Sequence, residues 1–191
     1  MRKLLDVAGL CAAQDEANKP IYNIAGQDTG CNFLAAGIDV IVELIRHGQT
    51  AHYVTEGAWS HWQLIDALIN YLGTCSMLAS SYAMSENAVR MLSGLKDSGK
   101  LKNLQCVIDN RIETRTAGSL QLLRNVADRL CLTACHAKVT VLFNDQVMIS
   151  VIGSANYTEN KRIEVGMVTT DNVVAQIHSD WILQTLNTLG T

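Results

Sequence analysis

The sequence predicts an α/β domain, mixed toward α+β, with a mostly parallel sheet flanked by helices on both faces. Three observations predict it. The chain has 191 residues, 48% hydrophobic and 17% charged, enough for one packed core and too apolar for a disordered chain. Its apolar spacing switches repeatedly between period 2 and period 3.6. Helix caps and glycines punctuate the switches. Strands that alternate with helices favour parallel pairing and a sheet covered on both sides.

The elements follow in order. Residues 3–18 read as a modestly amphipathic helix and residues 22–36, rich in Gly, Asn and Asp, as a loop. Together, residues 1–36 form an N-terminal appendage and residues 37–191 the main domain. Val40, Val42 and Leu44 alternate with Ile41, Glu43 and Ile45, His47-Gly48 follows, and Thr50 to Thr55 comes next; the pattern reads as a hairpin. Ser60 and Gln63 fit a capping box before a helix that buries Leu64, Ile65, Leu68, Ile69 and Leu72. Residues 74–82 read as a strand. Ser85 caps a second helix carrying Ala88, Met91, Leu92 and Leu95, and Gly99 ends it. Leu104 to Ile108 is a strand, and Leu120, Leu123, Val126, Ala127 and Leu130 mark a third helix. Strands at about 132–143, 147–153 and 163–169 follow, and Asp171 caps a last helix with Val174, Ile177, Trp181 and Ile182 on one face.

The net charge of -3 gives no general pull toward polyanions. Its distribution is uneven. Residues 86–138 hold nine basic and five acidic residues, among them Arg90, Lys96, Lys100, Lys102, Arg111, Arg115, Arg124, Arg129 and Lys138. That segment either gathers a polyanion on one face or carries ordinary solvated charge. No apolar run approaches the ~18 residues of a membrane span, so no stable membrane association is expected. Asp6 interrupts the apolar start of the chain, which argues against a signal peptide. The six cysteines, at 11, 31, 75, 106, 131 and 135, read as free thiols of a reducing, cytoplasmic compartment.

The chemistry concentrates in one stretch. His136 and Lys138, two apart in a predicted strand, point to the same face and place an imidazole beside an ammonium. Gly153-Ser154-Ala155-Asn156 ends the next predicted strand; Gly153 permits close backbone approach, and Ser154 and Asn156 offer hydroxyl and amide donors from a shared face. Such a set suits a tetrahedral anion. Cys131, Cys135 and His136 raise a metal reading, but C-x3-C-H is not a zinc-knuckle spacing, and neither metal nor other cofactor is expected. His47, His52, His61 and His178 lack motif context and read as surface or loop residues.

His136-x-Lys138 followed by Gly153-Ser154-x-Asn156 resembles the phospholipase D superfamily, in particular its small prokaryotic members with one His-x-Lys motif per chain. The resemblance runs over roughly residues 39–189, and its specific part is residues 136–164. It implies a phospholipase D-like fold and catalytic roles for His136, Lys138, Ser154 and Asn156, with Gly153 beside the substrate. It also implies that Glu164, on the following strand, orients the histidine. The sequence departs from the family pattern at the motif's aspartate: Phe143 stands there, and Asp145 lies two residues further on. The connection from Lys138 to Gly153 is also somewhat longer than usual.

The implied reaction is phosphodiester cleavage without metal, through a phosphohistidine. It needs one neutral and one protonated histidine, and the chain has a single His-x-Lys. The expectation is therefore a homodimer that shares one active site. Nucleic acid is the expected substrate. A lipid phosphodiesterase and a non-catalytic DNA-binding or assembly module on the same fold are the alternatives.

Overall fold

A computed structural model describes residues 22–24, 32–35, 37–159 and 161–189. The predicted helix at 3–18 lies outside them. The described elements are β1 (Tyr22–Ile24), β2 (Asn32–Ala35), α1 (Ile38–Arg46), β3 (Thr50–Val54), α2 (His61–Leu72), β4 (Cys75–Ser81), α3 (Glu86–Asp97), β5 (Leu101–Asp109), α4 (Ile112–Arg115), α5 (Ala117–Val126), β6 (Arg129–Thr133), β7 (Val139–Phe143), β8 (Met148–Gly153), β9 (Val165–Thr169) and α6 (Asn172–Leu189).

The strands form one sheet in the order β1-β2-β3-β9-β8-β7-β4-β5-β6. Helices cover both faces, as expected. On one face α1, α2, α3 and α5 bury Ile41, Leu44, Leu64, Leu68, Leu92 and Leu123 against Tyr53, Met77, Leu104, Leu142 and Val168. On the other face α6 lays Ala175, Ile182 and Leu186 over Leu78, Val107 and Val141. Among the described residues no helix is long and apolar enough to cross a membrane.

The α/β class stands, but the mostly parallel sheet is corrected. Only β2–β3, β4–β5 and β5–β6 pair in parallel, while β1–β2, β3–β9, β9–β8, β8–β7 and β7–β4 are antiparallel. The crossover helices α1, α3 and α5 produce the parallel pairs. The β7–β8 hairpin and β9 then enter beside β4, in the middle of the sheet, where no helix separates them.

Three local expectations are also corrected. Residues 38–46 are a helix, not the first arm of a hairpin. Ile41, Leu44 and Ile45 face the core at spacings of three and four, and Glu43 reaches Arg46 and His47 one turn on, at 2.5 and 3.0 Å. The 22–36 segment contains β1 and β2 rather than only loop, and β2 pairs with β3. The long strand expected at 132–143 is two strands, β6 and β7, at different places in the sheet, and α5 ends at Val126 so that Leu130 lies in β6.

The expected caps are present. Gln63 Oε1 accepts the Ser60 N–H at 2.7 Å, Ser85 Oγ accepts from Ala88 N–H at 3.3 Å, and Asp171 Oδ1 accepts from Val173 N–H at 2.8 Å. Gly99, at φ 73°, closes α3 in a conformation that favours glycine.

Strand directions bring one set of ends together. β4, β5, β6 and β8 finish, and β7 and β9 begin, along the same edge of the sheet. After β6 the chain crosses the ends of β5 and β4 through residues 134–138 to reach β7. The carboxyl ends of strands are where open α/β sheets place ligands, and His136 sits on this crossing.

Candidate functional site

The His-x-Lys stretch is an extended crossing rather than a strand, and it is held from beneath. Asp109, buried at the end of β5, accepts the Cys135 N–H through Oδ2 at 3.0 Å. This fixes the residue before His136. The imidazole is exposed to solvent and tilts against Tyr82, with ring centres 5.0 Å apart. Lys138 is buried. Its Nζ donates to the His136 carbonyl at 2.7 Å and lies 3.3 Å from His136 Nδ1, so the expected pairing of imidazole and ammonium is present. Burial pushes the Lys138 pKa down, partly opposed by the negative charges of Glu164 and Asp109.

The Gly-Ser-x-Asn turn is stitched to this crossing. Gly153 N–H donates to the Lys138 carbonyl at 3.2 Å. Gly153 is required by packing: a Cβ there would lie 2.7 Å from the Val165 carbonyl oxygen and 3.0 Å from the Tyr53 hydroxyl. The close backbone approach at this glycine is therefore made by β9.

Asn156 is locked by its carbonyl. Oδ1 accepts the Tyr82 N–H at 3.2 Å and lies 3.3 Å from Ser81 Oγ. The backbone donor fixes the amide's orientation and turns its NH2 into the group presented elsewhere. Ser154 is latched to β9: its hydroxyl donates to the Glu164 carboxylate and accepts the Val165 N–H at 3.1 Å. Glu164 thus meets Ser154 directly and acts on Lys138 through its charge.

The motif's displaced acid does not return to the site. Phe143 ends β7, and Asp145 lies exposed in the β7–β8 turn, a full strand length from Lys138. Among the described residues no three His, Cys, Asp or Glu side chains are grouped to hold a metal ion. Burial also pushes the Cys131 and Cys135 thiols up.

Several residues that the motif reading did not single out belong here. Ser81 ends β4 and Tyr82 follows it; Asp109 ends β5 and Arg111 lies two residues on. Arg111 Nη1 donates to the Tyr82 hydroxyl at 3.0 Å, and its Nε meets Asp109 Oδ1 at 3.1 Å. Burial raises the Asp109 pKa, but the backbone N–H groups of Arg111 and Cys135, with the Arg111 guanidinium, outweigh it and hold the carboxyl below the usual range. The available signal was position: each of these residues sits at the end of a predicted strand.

The reading of His61 as a surface or loop residue is corrected. It opens α2 and is buried, 3.4 Å from Thr140 Oγ1 and edge-on to Tyr157 at 4.7 Å. The apolar surroundings lower its pKa to about 4.

No family model and no curated protein sequence matches this chain. Solved structures do. The chain has the phospholipase D superfamily fold. It is similar to NucT from Helicobacter pylori, with a TM-score of 0.59 and 16% identity, covering 74% of this chain and 97% of that one. It is likewise similar to Nuc from Salmonella typhimurium, a phospholipase D family member, with a TM-score of 0.57 and 20% identity over 75% of this chain and 97% of that one. A polyphosphate kinase from Porphyromonas gingivalis matches with a TM-score of 0.58 and 13% identity, covering 76% of this chain and 27% of that chain.

Proposed function

We propose that this chain is a metal-independent phosphodiesterase of the phospholipase D type, acting on nucleic acid through a phosphohistidine in an active site completed by a second copy of the chain. The observation that carries the reading is the set at the sheet's edge. An exposed His136 has the Lys138 ammonium 3.3 Å from its ring, and beside it the Asn156 amide is fixed through Tyr82.

In this reading the free chain rests the Lys138 ammonium against His136. A bound phosphate draws it onto a non-bridging oxygen and frees the imidazole. A ring nitrogen of neutral His136 attacks phosphorus, and a protonated His136 from the second copy donates to the leaving alkoxide. That second histidine then takes a proton from the water that releases the phosphoryl group. Lys138 and the Asn156 NH2 stabilise the charge that develops on phosphorus oxygens. Ser154 and Glu164 brace the turn and tune Lys138. The face beside them suits a second copy: Ile163 and Val165, on either side of Glu164, are 71% and 52% exposed. Nucleic acid is favoured over lipid by the arginines that flank the site and by the similarity to the Nuc-type structures.

One observation favours a second reading, a nucleic-acid-binding module without turnover. Phe143 occupies the motif's acidic position and Asp145 lies at the far end of β7. The test is cleavage of labelled DNA and RNA oligonucleotides, and head-group release from phosphatidylcholine vesicles, all in EDTA and with His136→Ala alongside. Nucleic-acid turnover that survives EDTA and disappears in the variant supports the proposal. Turnover of lipid alone reassigns the substrate, and salt-sensitive binding without turnover selects the module.

A further inference from the structure

We propose that Tyr82, Arg111 and Arg115 form a second phosphate-binding subsite beside His136, so that the substrate is a strand presenting consecutive phosphodiesters rather than an isolated diester. The inference rests on the reading of this site as one for nucleic acid, and it names how that polymer is held.

The nine basic residues of the 86–138 segment do not form one patch. Arg90 pairs with Glu86, Lys96 with Asp128, and Arg124 with Glu113. Arg129 donates to Gln105 and Asn187, and Lys100 to Asn70. Three of the nine converge on one aromatic ring instead. The Arg111 guanidinium carbon lies 4.9 Å from the Tyr82 ring centre, that of Arg115 5.5 Å and Lys138 Nζ 5.5 Å. Cations gathered this closely repel one another, and the ring's π-face offsets only part of that. Asp109 engages Arg111 from beneath with Oδ1 and gives Oδ2 to the Cys135 backbone. Glu164 and Asp109 bear on Lys138. Among the described residues no carboxylate pairs with Arg115. The cluster is left positive and open to an anion.

The donors are oriented outward. Arg111 spends Nε on Asp109 and one Nη1 hydrogen on the Tyr82 hydroxyl, which leaves Nη2 to present a fork. The Tyr82 hydroxyl, having accepted from Arg111, keeps its own proton to donate. The Arg111 side chain is 57% exposed, so the fork is accessible.

The placement fits a polymer. The Arg111 guanidinium and the His136 imidazole are 4.9 and 5.0 Å from the same ring centre, so the two groups are at most about 10 Å apart. Neighbouring phosphates on one strand are joined through a single sugar. A strand with its scissile phosphate at His136 can lay a neighbouring phosphate across Tyr82 toward Arg111 and Arg115. A single diester leaves that fork empty.

The experiment compares a fluorescein-labelled 12-nucleotide strand with bis(p-nitrophenyl) phosphate, which has one phosphate, in EDTA. Arg115→Gln is the main variant, because it breaks no ion pair among the described residues. Arg90→Gln on α3 is the remote control. The expected result in Arg115→Gln is a fall of about tenfold in the kcat/KM preference for the oligonucleotide over the small diester, the worth of one charge-assisted contact. By anisotropy, the slope of log binding constant against log salt shrinks by roughly 0.7–0.9, one phosphate contact. Arg90→Gln changes neither. A preference and a salt slope unchanged in Arg115→Gln overturn the subsite while cleavage by the wild type leaves the enzyme reading standing. An Arg115-dependent salt slope in a protein that cleaves nothing upholds the subsite and removes the enzyme. No oligonucleotide binding by the wild type overturns both.

Discussion

The buried Asp109 carboxylate holds the Cys135 N–H at 3.0 Å, one residue before His136, while its other oxygen holds the Arg111 backbone N–H and Nε, each at 3.1 Å. One acid at the end of β5 thus sets both the crossing that carries the histidine and the arginine beside Tyr82. Its low pKa follows from those donors.

Asp109→Asn keeps an acceptor for Cys135 but loses the charge that Arg111 faces. The expected cost is about 1–3 kcal/mol in urea unfolding, the range for a buried charged hydrogen-bond network losing a partner. kcat on nucleic acid should fall at least tenfold, on the order of a misplaced catalytic group. The pH dependence has a definite sign. The unfolded carboxyl titrates near 3.9 and the folded one lower. Its contribution is complete above about pH 4 and is lost as pH falls through the folded value. Urea midpoints at pH 7 and pH 3 should therefore converge between the wild type and Asp109→Asn on the acid side.

His136→Ala should lower kcat by roughly 10³-fold or more while changing stability by no more than about 0.5 kcal/mol, because an exposed side chain carries little packing energy. EDTA should leave wild-type turnover unchanged, since in the proposed mechanism Lys138 and Asn156 supply the charge stabilisation that a divalent ion supplies elsewhere. Single-turnover assays with and without chelator, next to thermal melts of the variant, check both statements. Activity that returns only with added zinc or magnesium would overturn the mechanism.

His61 gives a second pH signature. Burial lowers its folded pKa to about 4, against roughly 6.5 in the unfolded chain. Below that unfolded value the unfolded chain binds a proton that the native protein refuses. Stability should therefore decline from about pH 6.5 toward pH 4, with a slope of up to about 1.4 kcal/mol per pH unit from this group. His61→Gln, which cannot titrate, should flatten that limb even if it is less stable at pH 7. Guanidinium melts across pH 4–7 read the difference between the two slopes.

Legibility followed the range of the interactions. The caps at Ser60, Ser85 and Asp171 were readable because a cap is settled within three residues. Residues 38–46 misled because Val40, Val42 and Leu44 mimic alternation, whereas Ile41, Leu44 and Ile45 are what the core takes up; β-branched residues make the short-range pattern ambiguous, and packing decides it. The break at 134–138 was hidden because an extended crossing looks like a strand, and nothing local says that β7 inserts beside β4. Within the site, His136 and Lys138 were found because they adjoin in sequence, and Ser154 and Asn156 because they share a turn. Tyr82, Asp109, Arg111 and Arg115 reach His136 only through the sheet's topology, across 21–54 residues of chain. His61 carried no motif at all, and its burial comes from α2 packing over Thr140 and Tyr157.

The dimer is the most demanding prediction, because it follows from proton bookkeeping alone. One imidazole cannot be the neutral nucleophile and the protonated acid in the same step. Among the other histidines, His61 is buried with a pKa near 4 and cannot supply a proton at neutral pH. His52 lies on β3 and lines the same groove as Gly153 and Ser154, but no lysine stands two residues after it. His47 follows α1 and His178 lies on α6. The chain offers one His-x-Lys, so the proposed mechanism takes its second imidazole from the His136 of another copy, across an isologous contact. Ile163 and Val165 flank Glu164, the partner of Ser154, and are largely exposed, so this flank is where the copies should meet. Val165→Asp should move the protein toward monomer in sedimentation velocity and lower specific activity in step, with activity recovering as protein concentration is raised. Mixing His136→Ala with wild type should leave heterodimers inactive, so activity should fall with the square of the wild-type fraction rather than linearly. A wild type that sediments as a monomer at assay concentration, with full activity and a linear mixing curve, would remove the shared site.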